Sequence, residues 1–427
     1  MRAIGVSSFG PPSMLEALSV PEPVITGPED IIVAVHAVGL NPGDPIRAAG
    51  WGRLLESVKC VQLFLTYLDP PPKKKKNFPL FSSLPFLLTF SISLVSTLLF
   101  HSDPISSQTE SNKLVSYSSN CQKAAHISTK PRLPWIIGHD FAGVISATGP
   151  AITAFTPGDR VFGFTFGAAT AAEFVRLTPS IKHAITRIPD SIPFAEAASL
   201  PSVAMTVVES LRHAEAELGG PGSLKGKTVL VPAGLSGVGS LACQVLKNIY
   251  GVGKVVTTVS PAKIPLVPDK LGPGVVDQVV DYTRGVAHVI REVGKGTVDL
   301  MLDTFMGMAY LAVLKPGSGM LLSITGKSGK ILKEVWPEIG WWLVLAVDCL
   351  DGWYRWRAGR WGIRYDNVFV KPNGADLDTL VGWLVERKVK PVIGRVVGWE
   401  DLEGVRALCQ FIYDRKGGVG KYVIDLE

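Results

Sequence analysis

The stretch Thr228-Val-Leu-Val-Pro-Ala-Gly-Leu-Ser-Gly-Val-Gly-Ser-Leu-Ala-Cys-Gln244 constrains the fold more than any other part of the chain. Thr228 to Val231 is an apolar, β-branched run of the kind buried on both faces of a parallel sheet. Gly234, Gly237 and Gly239 let the backbone turn tightly and approach a ligand, and Ser240 to Lys247 continues at helical spacing. A strand passing through a glycine turn into a helix aims amides and the positive end of the helix dipole at an anion, so the segment predicts the pyrophosphate turn of a dinucleotide domain.

The residues that follow narrow the nucleotide. A second strand, Lys254-Val-Val-Thr-Thr-Val259, ends at Ser260, roughly where a site for NAD places a carboxylate on the ribose 2′-hydroxyl. No acid stands there; Ser260 and Lys263 offer a hydroxyl and a cation, the groups a 2′-phosphate needs and a carboxylate would repel. The expected cofactor is therefore NADPH, the alternative for Lys263 being one more solvated lysine. Downstream, Asp277–Tyr282 reads as a strand, Val286–Val293 as a helix, Val298–Asp303 as a strand and Leu314–Gly317 as a turn into the strand Gly319–Ile324. That alternation predicts an α/β, doubly wound parallel sheet with helices on both faces.

Length and composition bound the rest. The 427 residues suffice for two cores, and 47% hydrophobic with 19% charged residues excludes a disordered or collagen-like chain. The net charge of +6 is mild and comes partly from Lys73–Lys76, so no nucleic-acid partner is expected. Five cysteines without a CxxC pair suggest a reducing compartment, and the opening Met1-Arg-Ala-Ile-Gly-Val lacks a signal-peptide pattern; a cytoplasmic location is expected, with a mitochondrial one as the alternative.

Before the glycine turn the texture is β-rich: Asp30–Val38 and Gly138–Ile145 read as strands, and Thr156–Gly163 as a turn feeding a third. Asn41-Pro-Gly-Asp44, Gly138-His-Asp-Phe-Ala-Gly143, Pro157-Gly-Asp-Arg-Val161, Ala195-Glu-Ala-Ala-Ser-Leu-Pro201, the glycine turn and Gly420-Lys-Tyr-Val-Ile424 occur in that order. Together they resemble the medium-chain dehydrogenase/reductase superfamily, most closely its zinc-independent quinone oxidoreductase and enoyl reductase branch, fungal and reticulon-interacting-type members included. The resemblance implies a GroES-like β-barrel catalytic domain made from both ends of the chain, with a Rossmann domain between. We place the boundaries at 1–204, 205–345 and 346–427. It further implies hydride delivery from NADPH to an α,β-unsaturated carbonyl or a quinone as the small-molecule substrate, and is compatible with a homodimer.

The zinc-dependent members of that superfamily carry a Cys where this chain has Asn41, a Gly-His-Glu motif and a lobe of four cysteines. Here His139 and Asp140 remain without the others, which leaves fewer than the three protein ligands of a catalytic zinc, and no metal is expected. Position by position, the resemblance implies Asn41 facing the nicotinamide and the substrate oxygen, Thr206 at the cofactor phosphates, and Gly237, Val238 and Gly239 at the pyrophosphate. It puts Ser260, Lys263 and Tyr282 around the 2′-phosphate, Ile324 and Thr325 at the nicotinamide amide, and Lys421 reaching the cofactor from the returning C-terminal segment. Some reductases of the branch carry an enolate-stabilising Lys two residues after the Asp of Asn-Pro-x-Asp; here that position is Ile46, and Arg47 is the adjacent cation. Arg47 is thus the second expected catalytic residue, and solvent the expected proton source.

Residues 54–131 interrupt the resemblance. They hold Asp69-Pro-Pro-Pro-Lys-Lys-Lys-Lys76, the uncharged run Phe78 to Phe100 and a Ser/Thr/Asn-rich stretch. A run of that length can cross a bilayer, but Pro79, Pro85 and its place inside a barrel domain speak against a span. Phe, Leu, Ser and Pro are what pyrimidine-rich codons encode and a Lys run is what adenines encode, so a translated intron over Val58–Gln122 is the favoured reading, a lid-like loop the third. Further on, Ile339–Val347 is too short to span and reads as a buried helix, and Trp353–Arg364 as a helix with a solvated basic face rather than an RNA site.

The leading function is a metal-free NADPH-dependent enoyl or quinone reductase; the alternative is a catalytically silent nucleotide-binding scaffold, membrane-associated or not. The intron reading predicts that most mature transcripts join codon 57 to codon 123. Transcript reads running continuously through codons 58–122 would dismiss it.

Overall fold

The computed structural model describes residues 1–50, 133–167, 169–178, 183–304, 307–325, 328–335 and 340–427. The chain divides into two compact units, Met1–Ala49 with Ile127–Glu427, and Gly50–His126. Gly50 apart, the second unit lies outside the described residues, and so do the membrane-span and intron readings made for it. Among the described residues no helix is long and apolar enough to cross a membrane.

The first part of the chain builds antiparallel sheet. β1 (Arg2–Val6) pairs with β2 (Glu16–Ser19), and β3 (Ile31–Leu40) is a long, almost wholly buried strand. The two-residue β4 (Trp135–Ile136) joins β1, while β5 (Asp140–Thr148), β6 (Arg160–Thr165), β7 (Phe174–Leu177) and β8 (His183–Arg187) extend the sheet around β3. β3 pairs with β5 and β7, β5 with β6 and β6 with β8, all antiparallel. Ile31, Val33, Phe141, Val161 and Ile424 are at most 1% exposed and fill this barrel. Each such side chain contributes roughly 1.5–3 kcal/mol by leaving water.

The helix Pro201–Leu218 then leads to a parallel sheet of β9 (Thr228–Pro232), β10 (Lys254–Val259), β11 (Gln278–Asp281), β12 (Leu300–Asp303), β13 (Met320–Ser323) and β14 (Arg364–Asn367). The strand order is β11-β10-β9-β12-β13-β14. Order reverses between β9 and β12, and ligands of such sheets bind beyond the carboxyl ends of the strands at that point. Val229, Val231, Leu300, Leu302 and Leu322, all fully buried, show why these strands read as unbroken apolar runs: both faces are covered.

The last strands return to the barrel. β15 (Ile393–Gly398) runs parallel to β16 (Lys421–Asp425), which pairs antiparallel with β3. The two ends of the chain therefore share one sheet, with the parallel sheet inserted between.

Two expectations are corrected. The boundary at 345 falls too early, because the parallel sheet takes β14 at 364–367, where Tyr365 is 6% exposed, as its sixth strand. The apolar stretch after 339 is not buried throughout: it opens the helix Trp341–Gly359, in which Tyr354 and Ala358 face inward while Trp341 and Leu345 are 75% and 54% exposed. A helix lying on a sheet can bury only one stripe, and this one is apolar beyond its stripe. Arg355 and, just past its end, Arg360 are exposed, Arg360 stacked 5.3 Å over Trp356, while Arg357 is half-buried.

A buried carboxylate at the start of β3 ties the barrel's loops. Asp30, 2% exposed, accepts from the Thr26 and Gly27 amides, each at 2.8 Å, and from the Thr178 hydroxyl at 2.6 Å. Burial works against its charge, but these donors outweigh it and hold its carboxyl at about 2. A depressed folded pKa contributes stability above the unfolded value near 4 and loses it as pH falls toward 2. Asp30→Asn should therefore cost about 2 kcal/mol at pH 7 and progressively less from pH 4 to 2, read by denaturant melts. A cost that does not change with pH would contradict this account.

Candidate functional site

The glycine turn forms a helix N-terminus one turn earlier than the sequence spacing predicts. The helix is Gly237–Asn248, capped by Ser236, whose hydroxyl accepts from the Gly239 amide at 3.1 Å. Gly237 and Val238 then hold the first two helical positions, whose amides have no acceptor inside the helix. The glycines are required by close approach: a Cβ on Gly239 would stand 2.3 Å from the Ala233 carbonyl oxygen, and one on Gly234 would stand 2.0 Å from the Thr257 hydroxyl. Ala233 itself turns the chain with a φ of 54°, a conformation few L-residues adopt. A cradle that admits no side chain, open at a helix N-terminus, fits a pyrophosphate.

Residues expected around the adenosine end come together at the carboxyl ends of β10 and β11. Ser260 follows β10 directly and Tyr282, 45% exposed, follows β11. Lys263 closes the turn after Ser260, and its ammonium donates to the Gly417 and Gly418 carbonyls at 2.8 and 2.9 Å. Two of its three hydrogens are thus held, and one is left for an anion. Partial burial lowers its pKa. Beyond β13, Ile324 is partly buried and Thr325 exposed, its hydroxyl 3.1 Å from that of Ser323. Thr206 donates its hydroxyl hydrogen to the Ser202 carbonyl at 2.6 Å, so toward a phosphate it presents lone pairs only.

The other half of the site is a buried polar cluster drawn from four parts of the chain. β16 pairs Tyr422 with Leu40, and β3 pairs Gly39 with Asp140, so Lys421, Asn41 and Asp140 stand at one end of three adjacent strands. Asp140 is fully buried and Lys421 is 7% exposed. The Lys421 ammonium lies 2.8 Å from Asp140 Oδ2 and 2.5 Å from Asn41 Oδ1. Ser202, at the start of the long helix, donates its amide to Asp140 Oδ1 at 2.9 Å, and its hydroxyl lies 2.6 Å from Asp140 Oδ2 and 2.8 Å from Asn41 Oδ1. The Lys421 stem passes over the glycine turn, since a Cβ on Gly237 would meet its Cδ at 3.1 Å. The preceding Gly420 amide donates to the Leu235 carbonyl at 2.7 Å, which fastens the returning segment there.

This arrangement orients the Asn41 amide. Lys421 has donors only, so it must face Oδ1; Asp140 accepts from Nδ2 at 3.0 Å. Oδ1 accepts from Lys421 and shares the one Ser202 hydroxyl hydrogen with Asp140 Oδ2, and one Nδ2 hydrogen goes to Asp140. The second Nδ2 hydrogen is the one polar valence of the side chain without a partner among the described residues. The side chain therefore offers a donor and not, as its chemistry alone allows, both a donor and an acceptor.

Beneath Asn41 lies a second buried chain. Asp44, fully buried, accepts from the Asn41 and Gly138 amides at 2.6 and 2.9 Å and pairs with His139 Nδ1. His139 Nε2 lies 2.7 Å from Arg47 Nη1. Arginine cannot accept, so Nε2 is the acceptor, and Nδ1 donates to Asp44. Desolvation would raise the Asp44 carboxyl, but the facing His139, the Asn41 amide and the Lys421 charge hold it below the ordinary range. Burial lowers the Arg47 pKa, against the pull of Asp44. Both His139 nitrogens are thus hydrogen-bonded, and Asp140 is held by a lysine. Among the described residues no three His, Cys, Asp or Glu side chains group as a metal site would require.

Asp140 and Ser202 were not among the site residues expected from sequence. The signal for Asp140 was a charge inside the apolar strand Gly138–Ile145, answered by a lysine opening the apolar strand Lys421–Ile424. Nothing local marks Ser202.

Residues 276–408 match the zinc-binding dehydrogenase family model, and residues 114–182 the alcohol dehydrogenase GroES-like domain model. The human synaptic vesicle membrane protein VAT-1 homolog-like is 28% identical over 317 residues, covering 71% of this chain and 70% of that protein. The 2-methylene-furan-3-one reductase of Solanum lycopersicum is 33% identical over 230 residues, covering 50% of this chain and 55% of that protein. The structure of the quinone oxidoreductase from Coxiella burnetii superposes with a TM-score of 0.64 at 21% identity, covering 100% of this chain and 99% of that one. With the barrel, the inserted parallel sheet and the glycine turn already in place, these matches show the medium-chain dehydrogenase/reductase fold.

Proposed function

We propose that this protein is an NADPH-dependent reductase that delivers hydride, without a metal, to an α,β-unsaturated carbonyl or a quinone. The observation that carries the reading is the single uncommitted Nδ2 hydrogen of Asn41, held beside a helix N-terminus shaped for a pyrophosphate. Bound NADPH would supply the hydride. Gly237, Val238 and Gly239 would hold its pyrophosphate, Ser260, Lys263 and Tyr282 its 2′-phosphate, and Ile324 and Thr325 its carboxamide.

The chain's own residues would do two things. Asn41 would donate its free hydrogen to the substrate oxygen, which gains negative charge as hydride reaches the β-carbon or the quinone ring. A fixed donor aimed at developing charge stabilises the transition state at no cost of reorganisation. Arg47, kept in place by His139 and Asp44, would add a positive field close by. Since Asp140 is committed to Lys421, Ser202 and Asn41, the α-carbon proton would come from solvent.

A relative named as a 2-methylene-furan-3-one reductase supports the enone class, its substrate being a conjugated ketone by name. The engagement of His139 and Asp140 supports a site in which the carbonyl is polarised by hydrogen bonds in place of a Lewis acid.

The purified protein is expected to quench on titration with NADPH at lower concentration than with NADH, and to oxidise NADPH with members of an enone and quinone panel. Lys263→Ala should weaken NADPH about tenfold or more, the worth of one charge-assisted bond, and leave NADH within about twofold. Equal loss for both nucleotides would remove Lys263 from the 2′-phosphate site, and binding of neither would remove the reductase reading.

A further inference from the structure

We infer that Lys421 is a positioning residue acting through Asn41, and not a ligand of the cofactor; the inference rests on the reductase reading for its kinetic consequence. Its ammonium is 7% exposed and engages Asn41 Oδ1, Asp140 Oδ2 and, at 3.4 Å, Ser202 Oγ. Those three partners account for the three hydrogens an ammonium has, which leaves none for a phosphate or a ribose. What reaches the glycine turn is its methylene stem, lying on Gly237.

The charges decide which way the Asn41 amide faces. Turned over, the amide would set Nδ2 against the Lys421 ammonium and Oδ1 against the Asp140 carboxylate, two repulsions within hydrogen-bond distance in a buried place. In the observed orientation both contacts are attractive, and Nδ2 keeps one hydrogen for the substrate. Without Lys421, Oδ1 loses its strongest donor and Asp140 its counter-charge. One of the two charged contacts that fix the amide is then gone, and the other is a carboxylate left without its counter-charge. The amide would be free to present oxygen where the substrate's developing negative charge requires a hydrogen.

The dependence is long-range in sequence and short in space. Lys421 stands one step before the Tyr422–Leu40 pair, on the strand that closes the barrel onto β3. Gly420, with a φ of 61°, turns the chain just before it and ties it to Leu235 at the glycine turn. The return of the C-terminal segment thus completes the substrate-facing side of the site.

The test uses the full chain and three variants, Lys421→Met, Asn41→Ala and the double variant. Lys421→Met is expected to lower kcat about tenfold or more with NADPH Kd within about threefold of wild type, and to add less than about twofold in the Asn41→Ala background. An NADPH Kd that rises by the factor by which kcat/KM falls would make Lys421 a cofactor ligand and overturn the inference, as would losses that multiply in the double variant. Should Lys421→Met fail to fold with Asp140 unpaired, Lys421→Met with Asp140→Asn keeps the cluster neutral and is read in the same way. If wild type turns over no enone or quinone, the reductase reading fails by itself, and hydrogen exchange of the Asn41 side-chain amide in 15N-asparagine-labelled protein decides the positioning role. Protection in wild type that is lost without Lys421 supports it; equal exchange in both refutes it.

Discussion

The contact on which the rest depends is the buried ion pair of Lys421 and Asp140. It joins β16 to β5 across β3, so it registers the last strand of the chain against the first sheet. Burying two charges is costly, and the pair is stable because Asn41 and the Ser202 amide and hydroxyl fill the remaining valences. Removing one partner of such a pair typically costs about 3–5 kcal/mol, since the other is left charged in a dry place. An apolar pair would close the barrel as well. What it would not do is orient an amide, and this suggests why charges occupy the position.

Two networks meet at Asn41 from opposite sides. Lys421, Asp140 and Ser202 fix its side chain, while Asp44 accepts from its backbone amide and, through His139, reaches Arg47. Asn41 therefore hangs in a frame drawn from distant segments, with the glycine turn one lysine stem away. Beyond β10, Lys263 is anchored to Gly417 and Gly418, residues of the segment that runs into Lys421. The same short segment of chain thus touches both the turn after β10 and the glycine turn.

Much of the fold was legible in the sequence, and its limits are physical. The glycine turn, the strand ending at Ser260 and the alternation to Ile324 are local patterns, and local patterns report sheet and helix directly. The missing acid after β10 was equally local. The boundary at 345 failed because β14 carries Arg364 and Asp366 in a four-residue strand, a weak period beside the long helix before it. The stretch 339–347 was taken as buried because apolar content says nothing of how wide a stripe its neighbour can cover. The orientation of Asn41 could not be read at all: its partners lie 99, 161 and 380 residues away, and strand register together with the packing of the helix Pro201–Leu218 brings them together.

The account claims conjugate reduction by hydride from the nicotinamide, with hydrogen-bond donors and not a metal holding the substrate oxygen. Its most direct test is the fate of deuterium from NADPH labelled at the transferred position, followed by mass spectrometry and NMR of the product from a simple enone. The account predicts deuterium on the β-carbon, a solvent-derived hydrogen on the α-carbon and an intact carbonyl. Deuterium on the carbonyl carbon, giving an allylic alcohol, would contradict it.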